Sequence, residues 1–128
     1  MTTIMVPSDP RNFQTEQQYQ LDGQQVTVAT ATIAGFIAQR PLRLQGLRGR
    51  IANSGTGGTT TIQVHKNGSL IAAGATVSVA GSASASAVFS VGLDVGIDPG
   101  DAITMVVSSA ATGGAAGLVV SGYVVRDV

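Results

Sequence analysis

After Gln24 the chain alternates apolar and polar residues with a period of two, the spacing of strands that bury one face and expose the other. Val26, Val28 and Ile33 predict a first strand, with Gly35 marking a bend. Pro41 opens a second, in which Leu42 and Leu44 share one parity and Leu47 and Ile51 share the other. A parity switch inside one strand needs an extra residue, so a bulge is predicted at Gly46. Asn53 to Gly58 reads as a loop. Thr59 to Lys66 alternates again, with Ile62 and Val64 inward and Gln63 and His65 outward. Asn67-Gly68 is the strongest hairpin signal, because both residues accept positive φ, and Ser69 to Ala73 is the returning partner.

The Ala/Ser/Gly-rich stretch that follows keeps Val77 and Val79 in alternation, and Phe89, Val91, Leu93 and Val95 mark a long strand of one parity. Asp98-Pro99-Gly100-Asp101 fits a type II turn, with Pro second and Gly third. Ile103, Met105 and Val107 form the next strand, Thr112-Gly113-Gly114 the next turn, and Leu118 to Val125 the closing strand. No segment has the helical period, and the density of glycine opposes one. The count is about eight strands, which predicts an all-β chain folded as an antiparallel β-sandwich of jelly-roll or immunoglobulin-like type.

Residues 1–24 differ. Ser8-Asp9-Pro10-Arg11-Asn12 is turn chemistry, and five glutamines follow, interrupted by Phe13, Tyr19 and Leu21. The expected division is therefore an extended N-terminal arm over 1–24 and the sandwich over 25–128. The arm is either a frayed terminus or a segment that docks on a partner through Phe13 and Tyr19.

Composition sharpens this picture. Aromatics make up only 4% of the 128 residues, so the core is built from Val, Ile, Leu and Ala, each burying little area at roughly 25 cal/mol per Å². A lone chain so filled is expected to be marginally stable, and association with identical copies remedies that. Net charge is zero and charged residues are 11%, a poor footprint for nucleic acid or an acidic membrane. With no cysteine there is neither a disulfide framework nor a thiolate metal site. The opening Met1 to Pro7 lacks the basic and apolar regions of a secretory signal, and no apolar run is long enough for a membrane span. Synthesis in the cytosol is the expectation.

Catalytic chemistry has little to work with. His65 is the only histidine, and beside Lys66 it has no neighbouring base or ligand; it reads as a surface residue. Asp94, Asp98 and Asp101 are close in sequence, but a calcium site needs several converging oxygens, and turn chemistry accounts for Asp98 and Asp101. No Gly-x-Ser-x-Gly elbow occurs. The glycines at 55–58 precede a strand and lack a following Lys-Ser or Lys-Thr, so they are no phosphate loop. No cofactor is expected. One cluster stands out: Arg40, Arg43, Arg48 and Arg50 are four of the seven basic residues. Arg48 and Arg50 share a strand face. They are either a solvated face or, together with Arg43, contacts to carboxylates across an interface, where the guanidinium fork pairs in bidentate fashion.

Three landmarks over residues 59–125 carry a resemblance. They are a strand ending in Lys66-Asn67-Gly68 with its return, an apolar strand leading to Gly100-Asp101 and then Ile103-Thr104-Met105-Val106-Val107, and a closing Ser121-Gly122-Tyr123-Val124-Val125. In order and spacing they resemble the trimeric jelly-roll modules of the C1q and tumour-necrosis-factor type, although most core aromatics of those modules are missing. The arm and the Ala/Ser/Gly-rich strands also resemble the capsid decoration, or cement, proteins of tailed bacteriophages. That resemblance implies a homotrimer on the outside of a virion, bridging copies of the major capsid protein or another shell protein, with no chemistry of its own. Phe13, Tyr19, Arg43, Arg48 and Arg50 are the expected partner-binding residues. The alternatives are a receptor- or carbohydrate-binding tip of a phage tail or head fibre, which the scarcity of aromatics disfavours, and a jelly-roll lyase or hydrolase, which the lone histidine disfavours.

Overall fold

The structure, a computed structural model, describes residues 18–82 and 85–127. Nine strands are found among them: β1 (Gln18–Thr27), β2 (Ala31–Ile37), β3 (Leu42–Asn53), β4 (Thr59–Lys66), β5 (Ser69–Leu70), β6 (Thr76–Ala80), β7 (Ala87–Ile97), β8 (Ala102–Ser109) and β9 (Ala116–Arg126). They form two sheets. One has the order β1-β9-β3-β7; the other runs β2-β8-β4-β5, with β6 also paired to β4. Every pairing is antiparallel. The molecule is a two-sheet, all-β sandwich. Among the described residues no helix is long and apolar enough to cross a membrane.

The core lies between the sheets and is aliphatic. Leu44, Leu47, Ile51, Leu118 and Val120 from one sheet face Ile62, Val64, Ile103, Met105 and Val107 from the other, all essentially inaccessible. Phe36 and Phe89 only flank this cluster, as partly buried side chains. Many side chains of moderate size therefore supply the burial that a few aromatics supply in other sandwiches.

Local sequence dictates the connections. Asn67 adopts φ 53° and Gly68 φ 89°, the left-handed pair that a two-residue hairpin requires. Gly100 takes φ 91° at the third position of its turn, closed by the Asp101 amide donating to the Asp98 carbonyl at 3.1 Å. The two turns are tied together. Asn67 Nδ2 donates to Asp101 Oδ1 at 3.1 Å, and the Ala102 amide donates to Asn67 Oδ1 at 2.9 Å. The Asp98 amide donates to Asp101 Oδ2 at 3.0 Å. The predicted bulge is present: the register of β3 against both neighbours shifts between Leu44 and Gly46. The strand Phe89–Val95 keeps its single inward parity throughout.

Two expectations are corrected. The boundary at residue 24 falls inside β1, because the strand begins at Gln18 and pairs with β9 from Gln18↔Val125 to Thr27↔Ala116. Leu21 is its inward anchor, 3% exposed, and it assigns odd positions to the core. Val26 is consequently on the outside, 86% exposed. The stretch expected as one strand from Val26 to Ile33 is instead the end of β1, a turn and the start of β2, with Val28 buried just past the end of β1.

Leu44→Ala is expected to lower unfolding stability by about 2–5 kcal/mol, the cost of a cavity in a close-packed aliphatic core; urea denaturation measures it. A second outcome concerns the tied turns. The hydrogen bond from the Asp98 amide, then that from Asn67, then the charge of Lys66 hold the Asp101 carboxyl below its ordinary value of 3.8. A lowered folded-state pKa stabilises the protein above the unfolded value, and that contribution disappears as pH falls through the folded one. The gap in urea midpoint between wild type and Asp101→Asn should be full at pH 6 and close progressively below pH 4.

Candidate functional site: the outer face of the four-stranded sheet

The strand β3 sits between β9 and β7 and carries the arginines. Arg43 precedes the bulge at an odd position; Arg48 and Arg50 follow it at even positions. Without the extra residue they would point to opposite sides of the sheet, because side chains alternate strictly along a strand. The bulge puts all three on the outer face and keeps Leu42, Leu44, Leu47 and Ile51 in the core.

Cross-strand register completes the surface. Arg48 lies level with Ser121 on β9 and Ser90 on β7, while Arg50 lies level with Val119 and Val88. Val88 is 77% exposed, Val119 52%, and Tyr123 40%. Between them a shallow groove of about 550 Å³ is lined by Gln45, Arg48, Ser90, Ser121 and Tyr123, over the bulge. Ser121 Oγ donates to Asp22 Oδ1 at 2.8 Å, which ties β9 to β1.

The arginines divide into two kinds. Arg43 is engaged within its own chain: Nη1 contacts Asp94 Oδ1 at 2.8 Å and Nη2 contacts Asp127 Oδ2 at 3.3 Å. The hydrogen bond to Asp94 is the first cause that raises its pKa. Arg43 thus fastens β3 to β7 and to the C-terminal segment. Arg48 and Arg50 are exposed and have no carboxylate partner among the described residues. Phe13 lies outside the described residues, as does the side chain of Tyr19.

The groups weighed for chemistry stay apart. His65 Nε2 is 3.0 Å from Gln63 Oε1 on the outer side of β4. Asp94 belongs to Arg43, and Asp101 to the tied turns. Among the described residues no three His, Cys, Asp or Glu side chains come close enough to hold a metal ion. Two buried polar side chains have structural duties: Thr60 Oγ1 accepts the Ala111 amide at 3.0 Å, and Ser54 Oγ accepts the Ser82 amide at 3.3 Å.

Sequence reasoning did not single out Val88, Val119, Tyr123 or Gln45. The signal was present for three of them. They are apolar residues at off-parity positions of strands whose inward parity is unmistakable, which is how an exposed apolar patch is written in a strand sequence.

No protein-family model and no curated protein matches the chain. Solved structures of similar outline include the Bacillus endospore appendages, described as a family of disulfide-linked pili. They share 17% identity over 97% of this chain and 99% of that one, with a TM-score of 0.43. A CBM36-1 domain of a multidomain xylanase from the hindgut metagenome of Trinervitermes trinervoides shares 10% identity over 85% of this chain and 95% of that one, with a TM-score of 0.44. The virus-like particle of the Macrobrachium rosenbergii extra small virus shares 12% identity over 96% of this chain and 86% of that one, with a TM-score of 0.38. Similarity at this level assigns no family, and no function is taken from it.

Proposed function

We propose that this chain is a non-enzymatic structural protein of a virus particle, a jelly-roll decoration protein that docks on the outer surface of a shell. The observation that carries the reading is the outer face of the β1-β9-β3-β7 sheet. It presents two guanidiniums without carboxylate partners among the described residues, beside exposed Val88, Val119 and Tyr123, a mixture suited to a protein interface. The strand order supports the jelly-roll assignment. With β5 set aside, β1-β9-β3-β7 faces β2-β8-β4-β6, eight strands in two four-stranded sheets as that architecture requires. The scattered titratable groups accord with a protein that works by binding. In this reading Arg48 and Arg50 meet acidic side chains of the shell, while Val88 and Val119 exclude water around them. Each contact is weak, and engagement of several neighbouring subunits at once raises the effective concentration of the rest.

A second reading, recognition of a saccharide, is favoured by one feature, the groove in which Tyr123 lies among Gln45, Arg48, Ser90 and Ser121.

The deciding experiment images purified particles with and without the protein and measures docking by titration. Arg48→Ala combined with Arg50→Ala should weaken docking by about 1–3 kcal/mol, with a reduced dependence on salt. Unchanged affinity at low salt would assign the pair to a solvated face. Saccharide binding abolished by Tyr123→Ala, with particle docking absent, would favour the second reading.

A further inference from the structure

A second surface lies at the opposite kind of location, a sheet edge. The strand β2 ends its sheet, with β8 on one side and no strand on the other among the described residues. Such an edge presents unpaired backbone donors and acceptors, and proteins ordinarily protect it with lysine, proline or a covering element. Here charge and proline are missing; the protection present is a bulge in β2, whose register against β8 shifts between Thr32 and Ala34, and it leaves 34–37 as the regular part of the edge. Residues 23–39, which include the whole of β2, contain no Lys, Arg, Asp, Glu or Pro. Beside the edge, where β1 and β2 pass from one sheet to the other, an apolar groove of about 570 Å³ opens among Leu21, Ala34, Phe36, Ile37 and Leu42. Ile37 stands at its rim, 60% exposed.

The charges that bound this uncharged stretch identify the occupant. Asp22 immediately precedes it and Arg40 immediately follows it. Both line the groove, both are exposed, and neither forms an ion pair among the described residues. The surface therefore carries one anion, one cation, an apolar strip and an open strand edge. A two-fold axis converts such a surface into its own complement: residue i meets j, and j meets i. We propose that β2 and its groove form an isologous interface with a second copy of this chain. The two-fold axis passes near Ile37, which enters the groove of the other copy, and Arg40 of each copy faces Asp22 of the other. The absence of charge between the two ends suits such a contact, because a charge near the axis would meet its own copy. An interface with a shell protein would have no reason to balance its charges in this self-matching way.

The test uses the full chain and sedimentation equilibrium at micromolar concentration. Wild type should give twice the chain mass, in place of the three chains that the resemblance to decoration proteins implies. Arg40→Asp sets like charges against each other and should weaken association about tenfold or more. The combined swap Asp22→Arg with Arg40→Asp should restore it, since the pair is rebuilt with its signs exchanged. Ile37→Lys should give a monomer, and Val26→Lys, more exposed but outside the groove, should leave the mass unchanged. Since all four positions are exposed, the fold is retained, and circular dichroism verifies it. A monomeric wild type, a mass of three chains, an unaffected Arg40→Asp protein or a double swap that fails to rescue would each overturn the proposal. Loss of particle docking by Ile37→Lys from a monomeric wild type would overturn it too, by assigning the edge to the shell. Ile37 and Arg40 lie away from Arg48 and Arg50, so the single variants at those positions leave the docking experiment interpretable and the reverse holds; Asp22 adjoins both surfaces, through its bond to Ser121 level with Arg48.

Discussion

The structure depends on one extra residue in β3. That strand is central to its sheet, bonded to β9 along one edge and β7 along the other, so its parity constrains both neighbours. Leu42 and Leu44 occupy the core at even positions, and Leu47 and Ile51 at odd ones. An unbroken pleat can bury only one of these pairs. The register shift between Leu44 and Gly46 buries both, and it appears against β7 and β9 at the same point. The same shift carries Arg43, Arg48 and Arg50 to one surface. The core and the arginine-bearing outer face are two consequences of a single backbone irregularity, which is why a bulge is a feature of a sheet rather than a defect.

How much could be read beforehand follows from how local each signal is. The Asn67-Gly68 hairpin and the Gly100 turn were legible because positive φ is a demand on a single residue, satisfied by few residue types. The bulge was legible because four leucine and isoleucine residues stated both parities. The start of β1 was not. From Gln18 to Gln25 only Leu21 is a large aliphatic side chain facing the core, and one residue states no period. Pairing with β9, distant in sequence, is what makes the segment a strand. Its parity also decided the fate of Val26, whose β propensity is satisfied equally well on either face. The role of Arg43 was invisible for the same reason: its partners Asp94 and Asp127 are separated from it by 51 and 84 residues, and only the folded register unites them.

The sandwich leaves Val26, Ile37, Leu70, Val88, Val119 and Tyr123 substantially outside. Scattered exposed apolar residues are ordinary, but four of these are sorted. Val88, Val119 and Tyr123 share the outer face of one sheet, and Ile37 marks the open edge of the other. The charges are sorted with them: two cations without described partners accompany the face, and an opposed pair brackets the edge.

This sorting matters because the two surfaces have different symmetry requirements. A surface on which two arginines have no carboxylate partner among the described residues is suited to a different, acidic partner. A surface whose anion and cation bracket a neutral strip is suited to itself. The two surfaces adjoin at Asp22, which lines the groove and accepts from Ser121, while Ile37 and Arg40 belong to the edge alone and Arg48 and Arg50 to the face alone. A dimer so formed presents two copies of the arginine face, and bivalent docking multiplies a weak single contact through effective concentration wherever the spacing of sites on the partner matches that of the two faces. Any state in which the folded chain is bound and the unfolded chain is not shifts the folding equilibrium by mass action, so the proposed association and docking would serve the fold as well as the function.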